Sequence, residues 1–235
     1  MHDISSHKKA QQAMKLIIKA GEIMLCNGAE IYRVEDTMER MFAACKNISD
    51  VQVECTYSSI IVSFYYDGEA ITSLRKIKSI DTNMVKIADI NNFSREFVSK
   101  KISLEGAILD INEIDKKPNI SPGKSILLFA LISSAFTASI GGSFLDVVTA
   151  FLIVGLSQII SYKTASTGRK YFMDTLMSAF IITSLAFIIG SLGININSNN
   201  VAIGSIFMLF PGISLTNSVR DFMNRDLLAG TIGML

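Results

Sequence analysis

The chain has 235 residues, of which 49% are hydrophobic and 18% charged, with a formal net charge of +1 at pH 7. A balance this close to neutral, with no basic stripe interleaved with aromatics, excludes nucleic acid as the partner that charge would select. The length allows one domain or two, and the distribution of residues decides: few of the 22 Lys and Arg lie beyond Lys124, whereas 125–219 is dominated by Ile, Leu, Phe, Ala, Gly and Ser.

Three cysteines, Cys26, Cys45 and Cys55, fall in the polar half without CxxC spacing or clustered histidines. Neither a metal site nor a disulfide framework is expected, and they read as small apolar residues of a reducing compartment. The N-terminal MHDISSHKKAQQ carries positive residues but no apolar run after them, so it is not a signal peptide.

Taken in order, Met14, Ile17, Ile18, Gly21, Met24 and Leu25 recur at three- and four-residue steps and Asn27-Gly28 follows as a stop, which predicts an amphipathic helix. A second helix carries its apolar stripe on Ile31, Val34, Met38, Met41, Phe42 and Cys45, with Glu30, Arg33, Asp36 and Arg40 on the other side. The period then changes to two in VQVECTY, residues 51–57. Residues 60–66 are β-branched and aromatic, and Asp67-Gly68 supplies a tight hairpin turn before a third strand near 70–77. Helical spacing returns at Met84 to Phe97 and again at Leu104 to Ile111 after a Ser103 cap. The order α-α-β-β-β-α-α defines an α+β domain over 1–117.

Pro118 and Pro122-Gly123 mark a boundary. Four apolar segments follow at about 125–141, 144–162, 175–194 and 201–219, the last interrupted by Pro211-Gly212. At about 1.5 Å per residue, segments of this length approach the roughly 30 Å hydrocarbon core. Helices of a soluble bundle would each show a charged face, and these show none. The expected class is therefore an α+β domain followed by an all-α polytopic membrane domain, 118–235, with about four transmembrane helices, the last broken at Pro-Gly. Lys116, Lys117 and Lys124 precede the first span, Lys163, Arg169 and Lys170 lie between the second and third, and Arg220 and Arg225 follow the fourth. The GGSFLD and GININSNN turns carry no Lys or Arg. The positive-inside rule then places the N-terminal domain, the middle loop and the C-terminus in the cytoplasm.

Two places can hold chemistry. An acid inside a span costs about 2.5 to 3.5 kcal/mol on insertion scales, so Asp146, shortly after Gly141-Gly142, needs a partner. It serves either as an interfacial helix-cap carboxylate or in passage of substrate or protons, with the two glycines as gating positions. The second place is FPGISLTNSVRDFMNRDLLAG, residues 210–230. Pro211 removes a backbone donor and Gly212 loosens the helix, opening a break lined by Ser214, Thr216 and Asn217 of the type with which transporters build polar sites at depth. Arg220 and Asp221 follow: a guanidinium fork holds a carboxylate and an acid holds an ammonium, which suits a zwitterionic amino acid or a dicarboxylate. The competing reading is an interfacial stop segment in which Arg220, Asp221, Arg225 and Asp226 make local ion pairs. No GxSxG, P-loop or strand-linked GxGxxG is present, so neither hydrolase nor ATP-driven chemistry and no cofactor is expected.

NGAEIYRVEDTMERM, residues 27–41, and PGISLTNSVRDFMNRDLLAG, residues 211–230, resemble the two signature stretches of the threonine/serine exporter family, specifically its larger N-terminal subunit. Gly141-Gly142 and Asp146 fit the family's second-span entrance. The resemblance implies a secondary exporter of small polar metabolites in the bacterial inner membrane, with threonine and serine, or succinate for some split members, as substrates. It also implies a separate small membrane subunit and a homo- or hetero-oligomer. Family members carry a further hydrophobic span after the segment matching 211–230, whereas this sequence stops at Leu235, as a truncated chain or an early-ending member would. The rival class is a membrane-anchored enzyme or sensor, in which 1–117 binds a small ligand through the Glu30 to Arg40 helix face and the spans only anchor.

Overall fold

The computed structural model describes residues 1–78, 81–165, 171–224, 227, 230 and 231, with the backbone alone for 165, 171 and 172. Of the residues read above for orientation and ion pairing, Arg169, Lys170, Arg225 and Asp226 lie outside the described residues. The chain divides into two compact units, Met1–Lys117 together with the segment that starts at Gly212, and Pro118–Pro211.

The first unit opens with α1 (His7–Cys26) and α2 (Ile31–Ala43), continues through β1 (Ser49–Cys55), β2 (Ser59–Tyr66) and β3 (Glu69–Lys76), and adds α3 (Met84–Val98) and α4 (Leu104–Lys116). This is the element order that the change of period from 3.6 to 2 and back predicts. The helix read from Met14 starts earlier, at His7, because the Ser6 hydroxyl accepts from Lys9 N and caps a polar first turn. Asn83 and Ser103 cap α3 and α4 in the same way. Asp67 and Gly68 both take positive φ, 51° and 78°, the pair of left-handed residues that a two-residue hairpin turn requires.

The sheet is antiparallel in the order β1-β2-β3, with a register shift between Ser49 and Gln52. Ile60, Val62 and Phe64 alternate onto its covered face, against α1 and α2. Helix α1 touches α2, β2, α3 and α4, which explains why it buries residues on nearly every side. Phe42, Phe64 and Phe97 are among the largest side chains wholly removed from solvent, each contributing roughly 1.5 to 3 kcal/mol. The N-terminus is tied down as His2 bonds the Phe97 carbonyl at 2.8 Å and stacks on its ring at 4.0 Å.

Burial pushes the Cys45 thiol up to about 11, and Cys55 higher still, for the same reason. A thiol kept neutral in the fold supports stability fully below its ordinary value near 9, a contribution lost as pH rises toward 11. Cys26 is only half-buried. Iodoacetamide at about pH 8 is therefore expected to label Cys26 first and to reach Cys45 and Cys55 only on unfolding, as peptide mass mapping reads directly.

The second unit comprises α5 (Pro122–Ser139), α6 (Phe144–Ala165), α7 (Tyr171–Ser191), α8 (Ser198–Ile206) and a 3-10 turn, Phe207–Leu209. Its outer surface is apolar, unlike that of a soluble bundle, around a core of Ile153, Val154, Ile182 and Val201. Ser133, Ser134, Thr137, Ser157, Ser178 and Ser205 are buried, whereas Leu131, Leu152, Phe180 and Phe187 face outward. Only 22%, 33% and 17% of the apolar stretches of α5, α6 and α7 are buried. Hydroxyls and small residues placed between helices, with aliphatics on the outer faces, suit hydrocarbon solvation. Among the described residues three helices are long and apolar enough to cross a membrane, and a fourth span results if α8 and the helix that follows, α9 (Gly212–Met223), count as one broken at Pro211.

The candidate site on helix α9

Gly28 follows the Asn27 C-cap of α1 with φ 88°, where a Cβ would stand 3.1 Å from the Asp81 carbonyl. Backbone bonds from Asp81 N to Cys26 O and from Asn83 N to Asn27 O hold this corner against the start of α3. The chain leaves it through Ala29 into Glu30, the residue before α2. Glu30 makes no side-chain cap; it is 4% exposed and turns its carboxylate onto the Arg220 guanidinium of α9. The expectation that Glu30 shares the solvated face of α2 is corrected here, because a residue preceding the helix does not follow the helical period.

Two further contacts fix α9 to the same corner. The Asn217 side-chain amide donates to Gly28 O at 2.9 Å, and Tyr57, in the turn after β1, donates its hydroxyl to Asp221 Oδ2 at 3.1 Å. Asn217 and Arg220 or Asp221 are three and four residues apart, so they lie on one face of the helix. Asp221 and Ser218 are fully buried. Glu30 Oε2 has no hydrogen-bond partner, and Arg33 adds a second, looser ion pair to it, with Nε at 3.9 Å. Desolvation, then the Glu30 carboxylate, hold the Tyr32 hydroxyl above its usual range. The result is a buried carboxylate facing a guanidinium whose own side chain is 54% exposed and so open to a solute.

The remaining expected residues fall elsewhere. Ser214 and Thr216 are exposed, the Thr216 hydroxyl returning to Gly212 O at 2.8 Å, so neither joins the Glu30–Arg220 cluster. Pro211 follows Phe210, whose extended backbone ends the 3-10 turn, and α9 restarts at Gly212. Glu30, Tyr57 and the Gly28 carbonyl were absent from the expected site. The sequence signals for Glu30 were its place within the first signature stretch and on the Glu30 to Arg40 face of the rival reading; neither points to Arg220.

Asp146 belongs to the second unit and is 2% exposed. Its Oδ2 accepts from Ser143 N and its Oδ1 from Asn197 N, both at 2.7 Å, while Ser143 Oγ accepts from Asp146 N at 3.3 Å. This is a reciprocal cap at the start of α6 that also clasps the residue preceding α8. A cavity of about 600 Å³ opens beside it, lined by Ser143, Phe144, Asn195 and Ser198 among others. Gly141, with φ 87°, and Gly142 terminate α5, Gly142 N donating to Thr137 O at 2.9 Å. Asp146→Ala removes the carboxylate that accepts from Ser143 N and Asn197 N and is expected to lower stability by about 0.5 to 2 kcal/mol, as loss of a helix cap does, measured by thermal unfolding in detergent.

Among the described residues, no group of three His, Cys, Asp or Glu is disposed to hold a metal ion. A polar cluster on a compact α+β unit and outward-facing apolar helices together define a polytopic membrane protein with an α+β domain. The chain belongs to the threonine/serine exporter family: the family model described as "Putative threonine/serine exporter" matches residues 15–235. "Probable succinate transporter subunit YjjP" of Klebsiella aerogenes is 22% identical over 97% of this chain and 88% of its own length. The protein of that name from Escherichia coli is 22% identical over 92% and 84%. "Pheromone-regulated membrane protein 10" of Eremothecium gossypii is 23% identical over 95% of this chain, which spans only 30% of that longer protein. No solved structure matches the chain.

Proposed function

We propose that the chain is the larger subunit of a secondary exporter of small polar metabolites, an amino acid such as threonine or serine or a dicarboxylate such as succinate, working with a separate small membrane subunit. In this reading residues 1–117 form a cytoplasmic domain, 118–235 the membrane domain, and the location is the bacterial inner membrane. The observation that carries it is the pairing of the two signature stretches through Glu30 and Arg220. An exposed guanidinium leaning on a buried carboxylate is a contact that a substrate can exchange. A substrate carboxylate takes Arg220 through a two-point fork. For a zwitterion, Glu30 is then left for the ammonium; for a dicarboxylate, Arg33 is the second cation within reach.

Asn217 and Asp221 position α9 in this scheme, since both already hold the first unit through Gly28 and Tyr57. Ser214, Thr216 and the Pro211-Gly212 break supply a polar, loosened start to α9, ahead of the exchange pair. Asp146, with Gly141 and Gly142, contributes at the start of α6, where its carboxylate sits beside a cavity wide enough for a small solute. The test is efflux of radiolabelled serine, threonine and succinate from loaded cells, with and without the small subunit. Export of none of the three with the subunit present removes this reading.

A further inference from the structure

We propose that the cavity between α2 and α3 is a binding site for a small dianion, separate from the Glu30–Arg220 pair. It encloses about 360 Å³, within the range of metabolite pockets, and is lined by Arg33, Asp36 and Arg40 from α2 and Asn91, Ser94 and Arg95 from α3. Three guanidiniums against the single carboxylate of Asp36 leave the lining two positive charges in excess. That carboxylate is engaged, since Arg40 Nε lies 2.9 Å from Asp36 Oδ1. Arg33 has only the distant Glu30 contact at 3.9 Å. Arg95 makes no ion pair among the described residues, although it faces the cavity.

Like charges gathered around one concavity repel, and the repulsion is relieved by a ligand of charge −2. Guanidinium groups bind carboxylate or phosphoryl oxygens through paired N–H donors, which lysines in these positions would not do. Arg33 and Arg40 stand two helical turns apart, about 10 Å along α2, with Arg95 opposite on α3. That spread suits a molecule with two anionic ends or a phosphoryl group flanked by polar atoms, for which Asn91 and Ser94 offer neutral partners. Arg33 belongs to both neighbourhoods, its Nε lying 3.9 Å from Glu30 Oε2, so a dianion here also draws on a cation that faces Glu30.

The test is calorimetric titration of the full chain in detergent with sodium succinate and, separately, with glycerol phosphate, using acetate as a monoanion control. The expected result is saturable binding of at least one dianion, tenfold or more tighter than acetate, weakened at least tenfold by Arg95→Gln. Because Arg95 is exposed and outside every ion pair described, that variant keeps the fold. Titration of Arg220→Ala separates the two sites. Binding kept in Arg220→Ala places the dianion between α2 and α3. Binding lost there but kept in Arg95→Gln overturns the inference while leaving the transport reading intact. Absence of binding by both dianions, or equal binding of acetate, also overturns it.

Discussion

Arg220→Ala is expected to reduce efflux of the exported solute by tenfold or more while the protein still inserts and unfolds cooperatively. Two effects act together. On the proposed reading the substrate loses its guanidinium fork on α9, and charge-assisted bonds to carboxylates are about twice as strong as neutral ones. Glu30 meanwhile stays buried with its one close cation gone, because Arg33 is 3.9 Å away and cannot replace a direct contact. Glu30→Gln is expected to lower efflux as well, by leaving Arg220 without its resting partner. Exchanging the two charges, Glu30→Arg with Arg220→Glu, is the informative companion: it restores the ion pair but reverses which side meets the solute. Thermal stability should recover in that double variant, and efflux should not. Unchanged export by Arg220→Ala in proteoliposomes would remove Arg220 from the transport step altogether.

Gly204→Leu carries the second large effect, on folding of the membrane helices. A Cβ built on Gly204 collides with the Thr137 hydroxyl and comes within 2.9 Å of Thr137 Cα, a backbone atom that cannot rotate aside. Thr137 is itself fully buried and bonds Ser133 O at 2.9 Å, while Ser133 and Ser205 share a longer hydroxyl contact at 3.4 Å. Helices α5 and α8 therefore meet backbone to backbone, as small residues allow in membranes. Overpacking such a seam costs about 1 to 3 kcal/mol, and a leucine has further atoms to place. The expected outcome is a lower unfolding temperature and reduced yield of detergent-soluble protein. Gly155→Ala is the control: on α6 a Cβ at that glycine meets nothing within 4 Å, so the same kind of change should be neutral or slightly stabilising.

Much of the first unit was legible because its signals are local. The Asp67-Gly68 hairpin, the Asn27-Gly28 stop and the Ser103 cap each depend on a few neighbouring residues, and each falls where the sequence places it. The apolar segments were legible for the same reason, since composition over about 18 residues decides whether a helix suits hydrocarbon. Asp146 was ambiguous because a span-end carboxylate fits a cap and a passage equally. The fold adds that both its oxygens accept backbone N–H groups, one from Asn197, 51 residues away.

The sequence by itself determined the element order, the break at Pro211 and the kinship carried by the stretches 27–41 and 211–230. Only the tertiary structure decided that these stretches meet: Glu30 reaches Arg220 across 190 positions, and Asn217 reaches Gly28 across 189. Periodicity tells which face of a helix seeks cover, but not which distant segment provides it. Here that segment is α9, held at the Gly28 corner by Asn217 and against Glu30 by Arg220.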